Sequence, residues 1–269
     1  MKQEKIKRNL LIVFILLLAL CFVTGCGLLR SDEDKLKDLL EDKYGEEFGV
    51  ESYYYAGDMW AMCYPVSDPT LLFEVRTDGE VTKISHDYYL QNVVARQVEE
   101  EYGPLVEQIF PGSYLSVTLS ASDYEGQTAD KVSLESMLQY NNSHHDDSDE
   151  SWTYIVLNIF VDTSQMTEEN IEAEYFFLSK EIGSRVVNNE LPDTIVELYF
   201  GNQNFVIDCE TIILKETWSG DSDIYSKIKE CPQLWIWYYE SGIPELSKQQ
   251  GEMTFEKYVE KRTEVLNNG

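Results

Sequence analysis

The apolar residues of this chain change period repeatedly, and that switching restricts its fold more than any other feature of the sequence. Leu36, Leu39, Leu40 and Tyr44 recur at the three- and four-residue steps of one helix face, as do Leu90, Val94, Val98 and Tyr102. Ile171, Tyr175, Leu178, Ile182 and Val186 form a third stripe behind Thr167, and Phe255, Tyr258, Val259 and Arg262 a fourth. Between them lie shorter runs rich in β-branched and aromatic residues, at 49–64, 71–77, 80–85, 114–121, 152–162, 194–200, 205–214 and 234–239. Helical and extended periods interleaved in this way predict an α+β fold, with antiparallel sheets packed against amphipathic helices.

Turn and cap residues set the expected boundaries. Ser31 precedes three acids and reads as an N-cap, while Gly45 is placed to end that helix. Asp78-Gly79 between two extended runs predicts a two-residue hairpin with positive φ at both positions. A long helix is expected from near His86, broken or kinked at Gly103-Pro104, and a second hairpin is expected to join 194–200 to 205–214 across Gly201-Asn202. The polar, acidic run 139–151 reads as a linker or long loop, separating an N-terminal half at 26–138 from a C-terminal half at 152–269.

Ahead of the fold, Lys2, Lys5, Lys7 and Arg8 precede an uninterrupted apolar run from Leu10 to Val23, followed by Val23-Thr24-Gly25-Cys26. Such a run suits a signal segment and is short of the ~20 residues that span a bilayer core. The quartet resembles the lipobox of bacterial lipoproteins. By that resemblance residues 1–25 are a signal peptide, Cys26 carries the lipid, and the protein is held at the outer face of the cytoplasmic membrane.

The formal net charge is −28. Losing four basic residues and Glu4 with the signal segment takes it to −31. A surface so acidic repels nucleic acid and anionic polymers, leaving cations, basic peptides and neutral ligands held by aromatics as partner classes. Beyond Cys21 and Cys26 the cysteines are Cys63, Cys209 and Cys231, with no Cys-x-x-Cys among them. They read as small buried apolar residues, with a Cys209–Cys231 disulfide as the alternative.

Lys43-Tyr44-Gly45-Glu46-Glu47-Phe48, the run from Asp68 to Val75, Asp78-Gly79 and His86-Asp87-Tyr88-Tyr89 together resemble small lipoproteins and exported proteins of low-GC Gram-positive bacteria. In that group a short helix ends in Tyr-Gly-x-x-Phe and leads into an antiparallel sheet. The resemblance spans about residues 31–110. It implies a fold class and a compartment, and it supplies no catalytic residue.

Candidate chemistry is sparse. His144, His145, Asp146 and Asp147 are the densest set of metal-ligating side chains, yet they lack the Asp-x-Asp-x-Asp-Gly spacing of a calcium loop, and a solvated acidic loop is the preferred reading. His86-Asp87 are adjacent, which sends their side chains apart and disfavours a catalytic pair. Trp235, Trp237 and Tyr239 alternate along one strand face, as do Tyr53 and Tyr55 along another. Exposed, they form a platform for sugar rings or a peptide; the preferred reading places them in the core. The sequence therefore predicts a non-enzymatic binding or accessory module at the cell envelope, without a cofactor and with an envelope protein as partner. A hydrolase acting on glycan or peptide through carboxylates is the alternative.

Overall fold

The computed structural model describes residues 30–121, 128–143, 153–213, 228, 231–238 and 252–268. Cys26 and the signal segment lie outside these residues, as do His144, His145, Asp146, Asp147 and Tyr239. The fold is α+β, and the described residues form two compact units: 30–67 together with 75–87, and 68–74 together with those from 88 onward.

In the first unit, α1 (Asp32–Tyr44) begins with a complete capping box, in which Ser31 Oγ accepts the Asp34 N–H at 3.1 Å and the Asp34 carboxylate returns to Ser31. Asp32, Glu33 and Asp34 in the first turn suit the positive end of the helix dipole. Gly45, at φ 77°, ends the helix by giving its N–H to the Glu41 carbonyl at 2.7 Å. Leu36, Leu40 and Tyr44 form the buried face, each Leu contributing about 1.5–3 kcal/mol by leaving water.

Four strands follow, β1 (Phe48–Ala56), β2 (Asp58–Pro65), β3 (Phe73–Thr77) and β4 (Ile84–Asp87), arranged in that order in one sheet. Gly57 alone turns β1 into β2, with Ala56 facing Asp58 and φ at 88°, a conformation that favours glycine. The β3–β4 hairpin departs from the two-residue turn expected at Asp78-Gly79. Its loop runs from 78 to 83, the Asp78 carboxylate accepts the Thr82 N–H at 2.7 Å, and the positive φ falls on Val81 at 54°. Val81 is only 2% exposed, and its burial holds that strained backbone in place. Gly79 serves a different end, because a Cβ there would lie 2.6 Å from the Gly57 carbonyl oxygen.

The second unit starts with α2 (Tyr89–Ile109). His86 is not at a helix start; it lies in β4 opposite Arg76. The helix also passes through Gly103-Pro104 unbroken. An internal Pro costs about 3 kcal/mol. The buried stripe Leu90, Val94, Val98 and Tyr102 continues to Val106 beyond the proline, and several buried apolar side chains at about 1.5–3 kcal/mol each outweigh that cost.

A second sheet has the order β5 (Tyr114–Ser120), β6 (Tyr154–Asp162), β7 (Asp193–Gly201), β8 (Gln233–Tyr238). Here β6 and β7 are parallel, so the all-antiparallel expectation is corrected at this pair. A parallel pair needs a long crossover. It is supplied by α4 (Ile171–Phe176), a π-helical turn at Phe177–Glu181 and α5 (Ile182–Val187). Because β5 and β6 pair from Tyr114–Phe160 to Ser120–Tyr154, the chain on either side of 139–151 belongs to one unit, and the dividing line falls elsewhere.

The expected hairpin across Gly201-Asn202 is a strand followed by a helix, α6 (Gln203–Ile213). Asn202 acts as its cap, the carboxamide oxygen accepting the Phe205 N–H at 3.0 Å. From α6, Val206 and Cys209 cover Phe160 and Tyr199, with Phe205 packed alongside. Also helical are α3 (Leu134–Ser143) and the C-terminal α7 (Phe255–Asn268). Among the described residues no helix is long and apolar enough to cross a membrane.

Candidate functional site

The hairpin of β1 and β2 combines a buried root with an exposed tip. Phe48 and Gly49 are buried, whereas every residue from Glu51 to Ala56 is exposed. Within that exposed run stand three consecutive tyrosines, Tyr53, Tyr54 and Tyr55, with 47%, 56% and 47% of their surfaces in solvent. Strand alternation sends Tyr54 to one face and its two neighbours to the other.

On the first face, Tyr54 pairs across the strands with Trp60, ring planes 6° apart and centroids 6.4 Å apart. The Arg76 guanidinium lies 4.7 Å from the centre of the Trp60 ring. It is held there by Asp58, whose Oδ2 accepts from Arg76 Nε at 2.9 Å and Nη2 at 2.6 Å. His86 lies beside Arg76 on β4. A row of two aromatic rings, a guanidinium and an imidazole thus crosses all four strands of the sheet.

On the second face, Tyr53 and Tyr55 meet edge to face, 6.2 Å between centroids. The Tyr55 hydroxyl donates to the Asp32 carboxylate, tying the hairpin to the start of α1. That bond pushes the Tyr55 hydroxyl up to about 12, and Lys35, then Tyr55, hold Asp32 below the usual carboxylate range. Flat, rigid side chains with few rotatable bonds present contact area at low entropic cost. Such a surface suits stacking and cation–π contact with a ligand.

The sequence-derived candidates fall in different places. Trp235 and Trp237 lie on the same face of β8, but it is not the core face expected for them. Leu234, Ile236 and Tyr238 are the buried set, while Trp235 is 43% exposed beside Glu197 and Trp237 is half-buried. The reason is that the side of the sheet lined by Leu157, Ile159, Val196 and Leu198 is already filled by the alternate residues of β8. His86 and Asp87 point to opposite faces of β4. Asp87 is buried and accepts from the Tyr44 hydroxyl at 2.6 Å and Lys43 Nζ at 2.7 Å, so it acts as a structural anchor.

Cys63, Cys209 and Cys231 are all free thiols. Burial pushes the Cys63 and Cys231 thiols up, away from a reactive thiolate. Among the described residues no group of three or more His, Cys, Asp or Glu side chains is arranged to hold a metal ion.

No family model matches the sequence, and no curated protein matches it. Among solved structures, the crystal structure of a DUF5037 family protein from Ruminococcus gnavus is similar, with a TM-score of 0.60 at 19% sequence identity. The match covers 87% of this chain and 99% of that one. At that identity the likeness shows the fold alone. The aromatic hairpin therefore has to be judged on its own geometry, and its one legible signal was the tyrosine run itself, since Trp60 and Arg76 join it only through strand pairing.

One further polar constellation lies inside the second unit. Glu174 is fully buried and accepts from Arg262 Nε at 2.7 Å, Arg262 Nη2 at 2.9 Å and the Tyr258 hydroxyl at 2.7 Å. Burial pulls the Arg262 guanidinium down, but the Glu174 bonds override it and the net direction is up. Arg262 Nη2 also donates to the Thr167 carbonyl at 3.0 Å, and the cluster fastens α7 to α4.

Proposed function

We propose that this protein is a bacterial lipoprotein anchored through Cys26 at the outer face of the cytoplasmic membrane, serving there as a non-enzymatic binding module. The observation that carries the reading is the exposed run from Glu51 to Ala56 with its three tyrosines. Six consecutive exposed residues holding three aromatics are unusual on a surface that has no recognition task. Aromatic residues of this kind are enriched at protein interfaces and dominate their binding energy. The anchor reading rests on the basic start, the apolar run and Val23-Thr24-Gly25-Cys26.

Palmitate labelling in the native host tests the anchor. Cys26→Ala is expected to abolish incorporation and to leave unprocessed precursor or released protein. Full labelling of that variant removes the lipoprotein reading. For the binding role, the detergent-solubilised protein is expected to retain a discrete envelope protein that a Tyr53→Ala/Tyr54→Ala variant loses, with no turnover of peptidoglycan or casein. Reproducible hydrolysis abolished by one Asp or Glu substitution would replace this reading with that of a hydrolase.

A further inference from the structure

We propose that β1 is a strand-addition site for an extended, basic polypeptide segment. The inference rests on the binding-module reading and specifies both the class of partner and the way it binds.

The first ground is the edge itself. β1 is the outermost strand of its sheet, bonded to β2 on one side and to no other strand among the described residues. At nine residues it is far longer than β4, the four-residue strand at the opposite edge. Natural edges are blunted by Lys, Pro, a bulge or a covering element. In β1 the register shifts between Val50 and Ser52, which leaves residues 52–56 as the regular open run. The sequence Phe-Gly-Val-Glu-Ser-Tyr-Tyr-Tyr-Ala contains neither Lys nor Pro, and its last six residues are exposed. The edge at β5 shows the contrast, for there the Glu99 carboxylate of α2 takes up the Val117 N–H at 2.8 Å.

Charge supplies the second ground. Within the hairpin, residues 48–65 contain no Lys, Arg or His and carry Glu51 and Asp58, the latter engaged by Arg76, in a chain of formal charge −28. Glu51 is the exposed acid of β1 itself, so Lys or Arg on a partner strand is favoured there and Asp or Glu opposed. The tyrosines add a complementary feature. A strand added to β1 directs its side chains alternately to the two faces, where Tyr54 waits on one and Tyr53 and Tyr55 on the other, and cationic side chains stack well on such rings. A second copy of this chain is a poor occupant, because each copy carries a formal charge of −28 and the pairing would bring Glu51 of both together.

The test uses the full-length chain in detergent and a fluorescent peptide of alternating Lys and Val, roughly eight residues long to match β1. Three further probes are a Glu/Val peptide, a depsipeptide with the Lys/Val side chains but ester links in place of amides, and a neutral glycan oligomer. Strand addition predicts saturable binding of the Lys/Val peptide, weakened about tenfold or more in the depsipeptide and lost in the Glu/Val peptide. Glu51→Lys, at an exposed position, is expected to weaken binding while leaving the melting temperature unchanged, and Tyr54→Ala to weaken it further.

Equal affinity for peptide and depsipeptide would overturn strand addition while leaving a binding module standing. Absence of Lys/Val binding, preference for the glycan, or self-association through β1 in sedimentation would each overturn it as well. The binding-module reading itself fails only if the hairpin contacts nothing in the envelope.

Discussion

Two carboxylates, one in the core and one half-buried, show how single residues of the second unit are held. Glu174 and Arg262 are both in the core, where removing one partner leaves an uncompensated charge. Arg262→Ala is therefore expected to cost about 3–5 kcal/mol in urea unfolding, and a Glu174→Leu/Arg262→Met double variant to recover most of it. Recovery of nothing would mean that packing, rather than charge, governs the site. Glu99 behaves differently. Burial raises its carboxyl, while the Val117 N–H and then Arg96 pull the other way. The folded state thus binds the Glu99 proton more tightly than the unfolded chain, so stability is lost as pH rises from the ordinary value of 4.5 through the raised one. Glu99→Gln keeps an acceptor for Val117 and removes the titration. The melting-temperature gap between variant and wild type is expected to move in the variant's favour as pH rises through that window, and a pH-independent gap would contradict the assignment. Neither residue stood out in the sequence, because one acid among 49 carries no mark of its depth.

At the scale of elements, the sequence was most legible where several local signals agreed. Ser31, the first-turn acids, the Leu36–Leu40–Tyr44 face and Gly45 all describe α1, and the structure has each of them. Conflicts arose where one local signal competed with long-range packing. Pro104 is a strong breaker, yet the apolar stripe on both sides of it prevails. Residues 205–214 are rich in β-branched and aromatic types and read as a strand, but burial of Val206 and Cys209 over Phe160 and Tyr199 selects a helix at Gln203–Ile213. Asn202 was legible as a turn residue and acts as a cap instead. Asn202→Ala is accordingly expected to destabilise the protein by about 1 kcal/mol, with Asn202→Asp nearly neutral, measured by chemical denaturation. The π-helical turn had no sequence signal at all. It moves the buried face to Glu174, Phe177, Leu178, Ile182 and Val186, and the Tyr238 hydroxyl donates to the Leu178 carbonyl within it.

Taken as a whole, the molecule exposes three consecutive tyrosines on one hairpin, where we propose that it binds its partner, and uses buried polar groups such as Glu174 and Asp87 for structure. The alternation of Tyr53 with Tyr55 and of Trp235 with Trp237 was legible in the sequence, which favoured the core for both pairs; the exposure of the tyrosines and of Trp235 depends on which alternate set of each strand meets a helix, and that is decided by pairing partners distant in the chain. Cys26 adds a membrane address to this surface in the proposal. The central claim is that the β1–β2 hairpin is where the protein meets its partner. It is tested most directly by placing a photo-crosslinking residue at Tyr54, and separately at Trp235, in the protein expressed in its own cells. The account predicts one discrete crosslinked species from position 54, with little or none from 235. A discrete species from 235 together with none from 54 would contradict it.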